Sequence, residues 1–111
     1  MTRTVTHEHV SIEHRDEDSV LLRPTARLLE ALGASPRFTL HPAGTCIGKG
    51  RAYGVVLGAN EGCHLFAPAD LEIVHFDAAN GEVEVRLRGP LEHVMSEAEY
   101  ERRFAQSASV G

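Results

Sequence analysis

Three histidines stand close together in the stretch "VTHEHVSIEH", Val5 to His14: His7, His9 and His14, with Glu8 and Glu13 between them. On a strand, His7 and His9 would project from the same face. Two imidazoles so spaced can share a metal ion, but a zinc site needs a third or fourth ligand. His14 has the opposite parity unless a bulge intervenes. The HExxH pattern of metalloproteases is absent, because Ser11 stands where its second histidine would be. The stretch therefore reads as a polar edge strand, whose charges discourage pairing with other chains.

A second set of residues with metal or thiol chemistry is His41, Cys46, Cys63, His64 and His75. Cys63 and His64 are adjacent, so their side chains diverge on a strand. Cys46 and Cys63 lack the short spacing of a zinc ribbon. His7, His9, Cys46 and Cys63 are thus the candidate metal ligands, and neither a metal nor another cofactor is expected. Cys46 lies in "PAGTCIGKG", near Lys49, where a lowered thiol pKa would need a cationic neighbour in space. Gly44, Gly48 and Gly50 in that stretch are read as turn or bulge residues. "GKGRAYG" is not a phosphate loop, since no Ser or Thr follows Lys49. The residue pattern favours a protein that is not an enzyme.

Carboxylates form two groups. Glu8, Glu13, Asp16, Glu17 and Asp18 crowd one end, and Glu92, Glu97, Glu99 and Glu101 the other. Solubility and helix capping account for many of them. Glu13, Asp16, Glu17 and Asp18 are too polar to be core and are the expected partner-binding surface.

The elements that must position these residues follow from periodicity. Residues 4 to 14 read as one strand, bulged where alternation slips between His9 and Val10. "RDEDS" is a solvated turn. "RPTARLLEALGASP" reads as a short helix with Pro24 at its first position, Leu28, Leu29 and Leu32 on its apolar face, and Gly33 ending it. "RFTLH", "AYGVVLG" and "CHLFA" read as strands. "DLEIVHFDAANGEVEVRLRG" reads as a hairpin turning at Asn80-Gly81. Val83, Val85 and Leu87 face one way, and Glu82, Glu84, Arg86 and Arg88 the other. "MSEAEYERRF" is a second helix, with a capping box at Ser96 and Glu99 and a packed pair at Tyr100 and Phe104. Residues 104 to 111 read as a frayed tail.

These elements predict one α+β domain over residues 1–111. It would be a curved antiparallel sheet of five to six strands, an SH3-like partial barrel being one form of it, with two short flanking helices. The chain has 111 residues, is 42% hydrophobic and 24% charged, and carries a net charge of -5, which suits a small globular domain with a modest core. The acidic balance argues against direct nucleic-acid binding and for a protein partner with a basic surface. No apolar run has the length of a membrane span, and no secretory signal is evident. Two cysteines do not make a disulfide framework, so a reduced, cytoplasmic protein is expected.

No family resemblance emerges from these residues. The expected function is a small acidic cytosolic protein-binding module, a non-catalytic regulator or inhibitor of a larger complex. One instance is a phage or mobile-element accessory protein that inhibits a host nucleic-acid-processing system. The alternatives are a small metal-binding protein or enzyme using the His and Cys residues, and a β-barrel that binds a small ligand.

Overall fold

A computed structural model of the chain describes residues 4–7, 9–91, 94–96 and 98–103. The first "strand" is in fact a hairpin, β1 (Thr4–His7) and β2 (Val10–His14), with His7 opposite Val10. The slip of alternation after His9 marks the turn: His9 has a φ of 74°, a conformation rare for a residue with a side chain. Burial resumes beyond it, with Val10 and Ile12 fully inside.

β3 (Ser19–Pro24) follows an exposed bend and pairs with β2, Val10 opposite Pro24. Pro24 therefore ends a strand and does not start the helix. Thr25 caps the helix, its Oγ1 accepting the Leu28 N–H at 3.2 Å, and α1 spans Ala26–Leu32. Leu28 and Leu32 are its buried face. Gly33 closes it at a φ of 88°, donating to the Leu29 carbonyl, as expected for a glycine stop.

Six further strands complete the fold: β4 (Arg37–Leu40), β5 (Cys46–Ile47), β6 (Ala52–Leu57), β7 (Gly62–Phe66), β8 (Leu71–Asp77) and β9 (Glu82–Leu87). Among the described residues, nine strands lie in two antiparallel sheets, where five or six in one sheet were expected. One sheet has the order β1-β2-β3-β9-β8-β5 and the other β4-β6-β7. A helical segment over 98–103 begins after Ser96, whose Oγ accepts the Glu99 N–H at 3.2 Å. Phe104 and the expected tail lie outside the described residues.

The core forms between the sheets. Ile12, Val20, Leu22, Ile73, Val83 and Val85 come from the larger sheet, Tyr53, Val56 and Leu65 from the smaller, and Leu28 and Leu32 from α1. The turn before β9 is made as its sequence suggests. The Asp77 carboxylate accepts from the Ala79 N–H and the Asn80 side chain, each at 3.0 Å, and Gly81 takes a φ of 73°.

Candidate functional site: a cleft beside the first and third hairpins

The β1–β2 turn, α1 and the β6–β7 hairpin meet at one end of the molecule. Between them runs a cleft of about 310 Å³ lined by His9, Arg27, Leu28, Ala31, Glu61, Gly62 and Cys63. Each wall has a local cause. His9 reaches the cleft because the turn places it there. Its Nδ1 lies 2.9 Å from the Tyr100 hydroxyl, and the two rings meet edge to face at 87°. Tyr100 is itself held 2.7 Å from the Thr25 hydroxyl, so the helix cap, the last helical segment and the first hairpin share one polar chain. Burial raises the Tyr100 phenol above its ordinary pKa, and the hydrogen bond with Thr25 opposes that shift. Arg27 pairs with Glu101 at 2.9 Å on the rim.

Across the cleft, Cys63 sits on β7 with a partly buried thiol that donates to the His64 carbonyl at 3.2 Å. Tyr53, on the neighbouring strand β6, is wholly buried. Its hydroxyl has no hydrogen-bond partner among the described residues. Burial drives this phenol far above its ordinary pKa, and the nearby Cys63 thiolate charge adds to the effect. The tip of the β6–β7 hairpin folds onto α1, where Asn60 donates from its backbone to the Leu32 carbonyl and from its side chain to the Ala31 carbonyl.

The structure separates most of the residues singled out in the sequence. His7 is on β1 with a buried Nδ1 that has no partner among the described residues, whereas His9 is in the turn, so the two do not share a strand face. Cys46 is exposed on β5 of the larger sheet, and Cys63 is on β7 of the smaller. Among the described residues, no three His, Cys, Asp or Glu side chains converge on a point where a metal could sit. Glu13 is drawn into an ion-pair network, with Arg23 at 3.3 Å and Arg15 at 3.8 Å, and Arg23 also reaches Glu82. Asp16, Glu17 and Asp18 remain exposed at the β2–β3 bend. Lys49 is exposed in the β5–β6 connection, its backbone N–H donating to Asp70 Oδ1 at 2.8 Å. Thr25, Arg27 and Tyr53 were not singled out, and Tyr100 was read only as packing against Phe104. Thr25 alone carried a usable signal, as a capping residue directly before an apolar periodic run.

No helix among the described residues is long and apolar enough to cross a membrane. Neither a family model nor a curated protein sequence matches the chain. Among solved structures, a glycine cleavage system H protein from Mycobacterium marinum superposes with a TM-score of 0.76 at 20% identity, covering 93% of this chain and 96% of that one. The match corrects the expected function. The regulator or inhibitor of phage or mobile-element origin was inferred from charge and size alone, and the fold match, to a glycine cleavage system H protein, does not support it. Nearly end to end, and in both directions of coverage, this chain has the fold of a glycine cleavage system H protein.

Proposed function

We propose that the chain is a group carrier of the H-protein kind, which seats a small bound group in the cleft by His9 and Cys63 and presents it to partner enzymes in the cytoplasm. The observation behind this reading is the extent of the fold match, which covers 93% of this chain and 96% of the other. Docking would use the exposed carboxylates Asp16, Glu17 and Asp18, with Glu13 behind them, against a basic surface. Charge at an exposed bend steers encounter more than it holds the complex.

The H protein is a lipoyl carrier. A lipoyl group is a carried arm that supplies a reducible disulfide as acceptor, and it is joined to protein as an amide of a lysine. This chain has a single lysine, Lys49. Chemically it is suited, being exposed between Gly48 and Gly50. Spatially it is not. Lys49 lines none of the described clefts. It precedes β6, whereas the cleft lies beyond the other end of that strand, about 17 Å away at the usual rise per residue. The residues present therefore do not fit a lipoyl arm at the cleft.

The test is direct binding. Immobilised chain is exposed to the separate enzymes of a glycine cleavage system, with H protein as competitor. Saturable binding that H protein displaces is expected. Absence of binding to every component, under conditions where H protein binds, overturns the carrier reading. Incubation with lipoate and a lipoate–protein ligase, read by intact mass, should leave Lys49 unmodified, and quantitative loading would show that the arm is on this lysine after all.

A further inference from the structure

A second cleft opens where the α1–β4 connection meets the β6–β7 hairpin, and it shares no residue with the first. It measures about 350 Å³ and is lined by Ala34, Ser35, Arg37, Leu57, Gly58 and Ala59. Local rules shape it. Arg37 and Leu57 stand directly opposite each other in the β4–β6 register, so their side chains leave the sheet side by side. The next pair, Phe38 and Val56, turns inward to the core. Gly58 sits against the Leu32 carbonyl, closer than a side chain would allow, which holds the hairpin tip to the end of α1. Ser35 completes the rim at a φ of 53°, a conformation uncommon for a residue with a side chain.

The walls given by Ala34, Leu57, Gly58 and Ala59 are apolar, and Leu57 keeps 58% of its surface exposed. An exposed leucine by itself is ordinary. This one, however, borders a cleft with a single charge, that of Arg37. No carboxylate is among the lining residues, on a chain with 16 Asp and Glu against 11 Lys and Arg. Arg37 forms no ion pair with any described residue, whereas Arg23 is tied to Glu13 and Glu82, and Arg27 to Glu101. Apolar walls with one orienting charge are the composition of a small-molecule site.

We propose that this cleft binds a small monocarboxylate with a short alkyl chain. The carboxylate pairs with the Arg37 guanidinium, whose planar fork matches two oxygens at once. The chain lies along Leu57, Ala34 and Ala59, and covers apolar surface that now faces water. Charge selects the head group. A cation would meet Arg37 with no carboxylate in the lining to offset it. One guanidinium balances one negative charge, which favours a carboxylate over a more highly charged phosphate. The Ser35 hydroxyl is the one other polar side chain of the lining. Neither Lys49, His9 nor Cys63 takes part, so this site stands or falls separately from the carrier reading.

The test is a titration of the isotope-labelled full-length chain with hexanoate, hexan-1-ol, hexylammonium and acetate, followed amide by amide in nitrogen–proton NMR spectra. Hexanoate should shift the amides of Ser35, Arg37, Leu57 and Ala59 saturably, with a Kd of about 1 mM, as suits so small a ligand. Hexan-1-ol lacks the charge and acetate lacks the chain, and each should bind about tenfold more weakly. Hexylammonium should give no saturable shift at these positions. Arg37→Gln should lower the affinity for hexanoate to that for hexan-1-ol and leave hexan-1-ol binding as it was, which shows the fold and the apolar wall intact. Leu57→Ser should weaken both ligands. The proposal fails if hexanoate binds the unaltered chain no better than hexan-1-ol does, or if its shifts are scattered or do not saturate. It fails equally if Arg37→Gln leaves the affinity for hexanoate unchanged.

Discussion

Tyr53 is buried without a hydrogen-bond partner among the described residues, and that sets its energetics apart from those of Tyr100. Leaving a hydroxyl unsatisfied in the interior costs about 1–3 kcal/mol. Tyr53→Phe should therefore be neutral or stabilising by about 1 kcal/mol, read from the denaturant midpoint. A loss of stability would mean that the hydroxyl has a partner. Tyr100→Phe goes the other way. It strips Thr25 and His9 of a shared partner and should cost about 1–2 kcal/mol. Both phenols have pKa values raised on folding. The folded protein then keeps protons that the unfolded chain releases near pH 10, so stability is intact below that pH and falls as pH rises beyond it. Alkaline unfolding should begin above about pH 10, and Tyr53→Phe should blunt it. The sequence made His9 and Cys63 visible as chemical residues but not as neighbours. They are far apart in the chain, and what joins them is a turn that no glycine announced and a tyrosine that was read only as helix packing.

At the scale of elements, the legible parts were those fixed by local rules. The β8–β9 hairpin followed from Asn80-Gly81, and α1 from its leucines and Gly33. Strands β4, β6 and β7 followed from alternation. The β1–β2 hairpin was missed because Glu8-His9 is not a turn dipeptide by composition, and His9 adopts a positive φ with a full side chain. β3 was missed because Pro24 pointed to a helix start, although proline is also tolerated at a strand end. β5 has two residues, too few for any pattern. The division into two sheets depends on pairing between distant strands, which periodicity does not encode. The packing of α1 on the β6–β7 tip yields a sharp prediction. A Cβ on Gly58 would lie 2.4 Å from the Leu32 carbonyl oxygen, a backbone atom that cannot swing aside. Gly58→Ala should cost about 2 kcal/mol or more, as overpacking does. Gly48→Ala meets only ordinary contacts at 3.8 Å and beyond, and should be neutral or slightly stabilising. Thermal melts of the two variants give the comparison, and equal losses would refute the packing assignment.

For the whole molecule, charge and fold make separate contributions. The net charge of -5 is spread over ion-paired and exposed groups, and the exposed cluster at Asp16, Glu17 and Asp18 lies at the β2–β3 bend. Reversing all three to lysine should leave the melting temperature nearly unchanged, because exposed substitutions usually alter stability by about 0.5 kcal/mol. The same variant should slow association with a basic partner and flatten its dependence on salt. An on-rate insensitive to both changes would move the docking surface elsewhere, the exposed face of Glu82, Glu84, Arg86 and Arg88 being the next to test.

The connection that carries Lys49 divides the strands in an unusual way. Ahead of it lie β1 to β5, and after it β6 to β9, yet β3 pairs with β9, β5 with β8, and β4 with β6. Both sheets are thus woven from the two halves of the chain. Because Lys49 is the sole lysine, a lysine-specific protease can cut the backbone at one place only. The nicked molecule should still elute as one species and come apart only in denaturant. Expressed separately, the two pieces should find each other and refold, which would make this small protein a natural candidate for a split reporter of its own assembly.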